Sequence, residues 1–318
     1  MSGLSRQAEE DYLGRVATAI DSHLRAASAQ LPEVWKEAGR IPDRDYSAQV
    51  HAHWRLGSTE TRLHTLRELR SSPYFGRIDY VEDGDADRQT IYLGPVHLDD
   101  PRDGDYLVYD WRAPVGTLYY QGELGPSSYF APAGQIQVRI ERKRTYEIKR
   151  CKLIRISETA RGEDNRNEAP LAPLDDMLQE LLDRNTSGSM RQIVQTIQAE
   201  QDTVIRSEAE VLVVQGPAGS GKTVVALHRA AYLLYQLREK RGLQAAHGIT
   251  AQRMLVLSPN QVFSDYISRV LPDLKEGQIR QVILERLVRE RLARGFAKRC
   301  VNGQAVTSSR VFLRLPSW

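Results

Sequence analysis

Residues 211–223, Val-Leu-Val-Val-Gln-Gly-Pro-Ala-Gly-Ser-Gly-Lys-Thr, constrain the fold more than any other stretch of this chain. Val211-Leu212-Val213-Val214 is a continuous apolar run, the pattern of a strand buried on both faces. Gly216-Pro217-Ala218-Gly219-Ser220-Gly221-Lys222-Thr223 fits G-x-x-x-x-G-K-[ST], the phosphate-binding loop. Val224 to Leu237 reads as the helix behind it. The glycines let backbone N–H groups close around phosphate oxygens, and the helix N-terminus adds partial positive charge. Lys222 is placed to reach the β- and γ-phosphates, and the Thr223 hydroxyl can take a Mg²⁺ coordination position. The plainer reading is a glycine turn before an ordinary helix; the apolar run in front weighs against it. The expectation is an ATP site with Mg²⁺.

The 318 residues suffice for about two domains. With 41% hydrophobic and 27% charged residues, the chain can bury a core and is not of the disordered class. A formal net charge of +3 does not single out a nucleic-acid binder. Cys151 and Cys300 lie far apart and suit no metal spacing; they read as reduced thiols. The first residues are polar, so no signal peptide is expected, and no apolar run approaches a membrane span. A cytoplasmic protein is the default expectation.

In chain order, residues 5–38 read as a helix, with Tyr12, Leu13, Val16, Ile20 and Leu24 on one face. Pro32 is expected to kink or end it. A second helix runs from Tyr46 to Arg70 through Val50, Trp54, Leu63, Leu66 and Leu69, weakened by Gly57. Two such helices joined by a short turn suggest an antiparallel hairpin. From Tyr74 the pattern turns to strands: Arg77–Val81, Thr90–Gly94, Tyr106–Asp110, Gln135–Glu141, Arg144–Ile148 and Lys152–Ile156. Their short spacing indicates a small antiparallel β region. Asp110-Trp111-Arg112 reads as a buried ion pair beside a packed tryptophan rather than a catalytic group. Residues 157–175 read as a linker, and Asp175–Asp183 and Met190–Ile205 as helices. After the loop helix come a loop at 242–250, a buried strand at Arg253–Ser258, a short helix at Val262–Val270 and a basic helix at Gln278–Arg294. Strand, loop, helix and strand make one unit of a parallel sheet. Hydrolysis also needs an acidic pair at another strand end, and none follows Ser258.

Five ordered blocks carry a family resemblance. They are Ser72-Pro73-Tyr74-Phe75-Gly76-Arg77-Ile78-Asp79; Tyr109-Asp110-Trp111-Arg112-Ala113-Pro114 with Leu118-Tyr119-Tyr120; and Ile197-Gln198-Ala199-Glu200-Gln201. The fourth is Val214 to Thr223 with Ala226-Leu227-His228-Arg229 and Tyr232-Leu233-Leu234-Tyr235. The fifth is Leu257-Ser258-Pro259-Asn260 with Phe263 and Tyr266. In these the chain resembles the N-terminal part of the HelD, or helicase IV-like, family of superfamily 1 motor ATPases related to UvrD. The resemblance implies several roles. Gln201 would read adenine, Arg229 would lie near the base or ribose, and Ser258, Pro259 and Asn260 would touch a nucleic-acid backbone. Bacterial RNA polymerase would be the partner, with residues 5–70 as an arm entering its secondary channel. ATP turnover would release the polymerase from nucleic acid.

The expected fold is α/β: an N-terminal antiparallel helical hairpin, a small antiparallel β region and an incomplete P-loop, RecA-like parallel sheet. The expected divisions are residues 1–72 (coiled-coil arm), 73–160 (β-rich), 161–274 (first RecA-like domain) and 275–318 (a basic tail unlike the family). Similarity fades after Leu274, where the family's acidic motif and second motor domain would follow, so the expectation is a truncated portion. Two other readings are a non-catalytic polymerase-binding module and a conventional UvrD-type DNA helicase. The β-rich region before the loop counts against the last.

Overall fold

The structure is a computed structural model and describes residues 6–39, 46–160, 194–195, 197–217, 219–241, 254–265, 267 and 279–289. It opens with two long helices, α1 (Arg6–Gly39) and α2 (Tyr46–Leu69). Leu13, Val16, Ala19 and Ile20 of α1 meet Leu66 and Leu69 of α2, and Arg70 pairs with Asp21 at 2.6 Å. Residue 70 beside residue 21 is the register of an antiparallel hairpin. Of the two outcomes expected at Pro32, ending the helix does not occur: α1 runs through it to Gly39. A mid-helix proline forfeits one N–H bond and crowds the carbonyl one turn back, but Pro32 is exposed, and water can take the freed carbonyl. The side chains of Val50 and Trp54 lie outside the described residues.

A seven-stranded sheet follows: β1 (Gly76–Glu82), β2 (Arg88–Gly94), β3 (Leu98–Asp99), β4 (Tyr106–Asp110), β5 (Gly125–Ala131), β6 (Gly134–Lys149) and β7 (Lys152–Ala160). Its order is β3-β4-β2-β1-β6-β5, with β7 also on β6. The sixteen-residue β6 is the spine, pairing antiparallel with β5, β1 and β7 along its length. Two strands expected within residues 135–148 are therefore one, and β7 runs through residues 157–160, expected as linker. The sheet is mixed rather than antiparallel, because β2 and β4 run parallel, Leu93 against Tyr109 and Gly94 against Asp110.

Alternation along β1 sorts two cores onto two faces. Ile78 and Tyr80 point into one, with Ile91, Leu93, Val138, Ile140 and Leu118. Tyr92 and Tyr146 point into the other, closed by α1. On that second face lie charges sealed from water. Arg77 donates to Asp79 (2.7 Å) and Glu9 (2.6 Å), and Arg144 donates to Glu9 (2.5 Å) and to Glu158. Tyr92 adds a hydroxyl hydrogen bond to Glu9 at 3.1 Å. Burying a charge is costly unless it is paired and hydrogen-bonded, and here each guanidinium meets two carboxylates.

Beyond the sheet lie α4 (Ala199–Arg206), α5 (Lys222–Arg241) and a parallel pair, β8 (Leu255–Ser258) and β9 (Arg280–Ile283); a one-turn helix α3 (Thr117–Tyr120) precedes β5. Val225 and Tyr235 of α5 join the first sheet core, while Leu227, Ala231 and Leu234 pack against Ile267 and Ile279. Three expectations are corrected here. Val211–Val214 forms no strand, and its four side chains are exposed, Val211 at 83% and Val213 at 77%. A strand buried on both faces needs ladder partners on both edges, and among the described residues β8 has paired instead with β9. Residues 280–283, expected within a basic helix, are that partner strand; helix begins only at 284. The helix expected over Met190–Ile205 is broken at Ile197 and Gln198, where Gln198 takes extended angles (φ −76°, ψ 160°) ahead of α4. The helix expected at 175–183, the loop at 242–250 and the tail beyond 289 lie outside the described residues.

Candidate nucleotide-binding site

The loop before α5 takes the conformation its glycines permit. Gly219 and Gly221 have φ of 82° and 79°, the left-handed region that side chains with a Cβ rarely adopt. Space is limited too. A Cβ on Gly216 would lie 2.7 Å from Ser220 Oγ, and one on Gly221 would lie 3.1 Å from Gln201 Nε2. The Ser220 N–H donates to Pro217 O at 3.3 Å, and the Val225 N–H to Gly221 O at 2.9 Å, so the helix begins within the loop. The first N–H groups of any α-helix have no acceptor inside it.

Lys222, the first residue of α5, folds back over the loop. Its ammonium donates to Gly216 O (2.9 Å) and Pro217 O (2.6 Å) and lies 3.5 Å from Ser220 Oγ. The sequence thus places one cation, two hydroxyls (Ser220 and Thr223) and a helix N-terminus around one turn. That donor set fits a phosphate chain, and Thr223 is an oxygen donor of the kind Mg²⁺ takes. Ala218 lies outside the described residues.

Gln201 is brought to this loop. Its Oε1 accepts the Gln198 N–H at 3.2 Å, holding the first turn of α4, while its Nε2 faces Gly221. Arg229 goes elsewhere. Its Nη1 donates to Val204 O (3.1 Å), Ile205 O (3.2 Å) and Ser207 O (2.6 Å), and its Nη2 to Ala209 O (3.1 Å). It closes the C-terminal end of α4, where orphan carbonyls need donors; with those bonds made, it does not lie free toward a base or ribose. Ser258 is buried at the end of β8, its Oγ with no hydrogen-bond partner among the described residues. Pro259 and Asn260 are exposed, and Asn260 Oδ1 accepts the Phe263 N–H at 2.9 Å, capping the helix at 261–265.

A corner of the sheet contacts α4 and α5, the helices on either side of the loop. Asp110 accepts the Arg112 backbone N–H and two N–H bonds, from Nε and Nη2, along one edge of its guanidinium at 2.7–2.9 Å, and Trp111 is buried, as the sequence reading expected. Sequence reasoning missed the groups that tie α4 to this corner. Arg206 donates to the carbonyls of Trp111 (2.7 Å), Ala113 (3.2 Å) and Arg112 (3.3 Å), and pairs with Asp202 at 2.9 Å. Gln121 donates to Asp202 at 2.8 Å. Burial pushes the Asp202 carboxyl up, against the pull of Arg206 and Gln121. The i,i+4 spacing of Asp202 and Arg206 was the available signal, but nothing in the sequence tells such a pair from a solvated one. His228 of α5 sits edge-on to Trp111, ring centroids 5.6 Å apart. Burial, with the Arg112 charge nearby, lowers its pKa to about 4, against the opposing pull of its bond to Val224 O.

The N-terminal domain of DNA helicase IV HelD matches residues 6–176, more than half of the chain. The chain therefore belongs to the HelD family. The matched segment holds the hairpin and the seven-stranded sheet and ends before the glycine loop. No curated protein matches the chain closely enough to count as a relative. Among the described residues, no helix is long and apolar enough to cross a membrane.

Proposed function

We propose that this chain is the ATP-binding portion of a helicase-like motor that acts on bacterial RNA polymerase. The observation that carries the reading is the loop from Gly216 to Thr223. Two left-handed glycines, a helix start and a lysine folded over the turn converge on one small volume. Family membership supports the motor class, and the long hairpin of α1 and α2 supports an arm that reaches into a partner. In this reading Lys222 neutralises charge on the β- and γ-phosphates, Thr223 contributes an oxygen to Mg²⁺, and Gln201 reads the base. Magnesium supplies charge neutralisation between phosphates when bound.

The test is nucleotide binding by the 318-residue chain, read by calorimetry with ATP and Mg²⁺. Lys222→Ala is expected to abolish binding and leave the unfolding midpoint in place, because the ammonium is bonded only to exposed loop atoms. Equal affinity in the variant overturns the assignment. A steady-state ATPase assay on the same protein separates a motor from a binding-only module. Co-elution with bacterial RNA polymerase tests the partner.

A further inference from the structure

Helix α4 has eight residues, about two turns, and is too short to hold its own position. Ile205 packs it into the sheet core, and polar bonds fasten it at its C-terminal end and along its inner face. Arg229 of α5 holds four carbonyls at and beyond its C-terminus. Arg206 and Asp202 fasten its inner face to the Trp111–Ala113 corner and to Gln121. These anchors fix the rotation of the helix, and with it the direction in which Gln201 points. The Gln198 N–H then fixes which end of the Gln201 amide is oxygen, leaving the nitrogen on the loop side.

An amide held in one order offers one acceptor and one donor. Adenine presents a donor at N6 and an acceptor at N7, which match; guanine presents acceptors at both O6 and N7, which do not. Selection between the bases then depends on an amide that can neither turn over nor withdraw. We propose that Arg229 is a positioning residue for nucleobase selection. It touches no nucleotide, and through α4 it holds Gln201 where only an adenine edge is satisfied. This rests on the nucleotide-binding reading of the loop.

The experiment measures affinities of the 318-residue chain for Mg-ATP, Mg-GTP and inorganic tripolyphosphate, which occupies the loop but carries no base. The wild-type chain is expected to bind all three and to prefer ATP. Arg229→Lys keeps the charge but cannot span four carbonyls. It is expected to lower the ATP-to-GTP preference about tenfold and leave tripolyphosphate affinity unchanged. Adding Arg229→Lys to Gln201→Ala is expected to change the preference no further. A wild-type preference retained in Arg229→Lys overturns the proposal. So does parallel loss of tripolyphosphate, which would make Arg229 a support for the whole loop. If the wild-type chain binds neither ATP nor tripolyphosphate, the reading of the loop itself fails, a result distinct from the other two.

Discussion

The two halves of this molecule use apolar residues in opposite ways. In the seven-stranded sheet both faces are filled: Ile78 and Ile140 are fully buried under α3 and the loop helices, and Tyr146 is fully buried under α1. Around the glycine loop only one side is filled. Helix α5 packs inward against the sheet and against Val256 of β8, Ile267 and Ile279, while Val211, Val213, Leu255 and Leu257 are exposed. The sheet core also takes in Ile205 of α4 and Val225 and Tyr235 of α5, so the two halves share it. In the second, single side chains add hydrogen bonds to that packing: Arg206 and Arg229 at α4, and Lys222 across the loop. The sheet supplies rigidity, and the loop region is positioned on it by shared apolar burial and by polar attachments.

The comparison is tested most severely where the sheet buries charge. Arg77→Ala leaves Glu9 and Asp79 buried with reduced compensation, and breaking a buried pair in this way costs about 3–5 kcal/mol. Urea denaturation of the variant measures it. A cost under about 1 kcal/mol, the size of an exposed pair, would mean that water reaches this face. On the opposite face Ile78→Ala is expected to cost about 2–5 kcal/mol, the range for emptying a filled core position.

His228 stands at the boundary between the halves and gives a pH test. Its Nδ1 donates to Val224 O at 2.8 Å, so Nε2 is the basic nitrogen, and it is buried with no hydrogen-bond partner among the described residues. The folded pKa of about 4 lies below the usual histidine value near 6.5. Between those values the unfolded chain binds more protons than the folded one, so stability rises with pH. The contribution is fully present above about pH 6.5 and is lost as the pH falls through 4. Between pH 7 and pH 5 the loss comes to about 2 kcal/mol. Unfolding midpoints at the two pH values, compared with His228→Leu, isolate it: the variant should lose less stability over the same interval.

Legibility in the sequence follows the same division. The hairpin and most strands of the sheet could be read because their periodicity is local; Leu13, Val16 and Ile20 recur at helical spacing whatever they pack against. The strand at 125–131 was missed because Gly125, Pro126 and two serines weaken its pattern; it exists through pairing with β6. The glycine loop was legible because positive φ at Gly219 and Gly221 is written in residue type. The attachments of Arg229 and Arg206 were not, since an arginine's acceptors are carbonyls that only the fold brings near. Gln201 was placed by family resemblance, and the structure sets it against Gly221.

Val211–Val214 is where local pattern and observed packing disagree, and it provides the weakest expected effect and the sharpest test of the comparison. The run has the composition of a central strand, yet Val213 is 77% exposed. Val213→Ser is therefore expected to change unfolding free energy by less than about 0.5 kcal/mol, the usual range for a surface position. Were this segment a strand filled on both sides, loss of the valine side chain would cost about 1.5–3 kcal/mol from lost burial alone. Denaturation of this variant beside Ile78→Ala reads both halves on one scale. A cost for Val213→Ser close to that of Ile78→Ala would put a buried strand ahead of the loop and remove the asymmetry between the two regions. A small cost, with fast amide exchange at 211–214, would leave the loop supported through α4 and α5 alone. It would then be α4 and α5, packed on the sheet and fastened by Arg206 and Arg229, rather than a parallel sheet, that set its position.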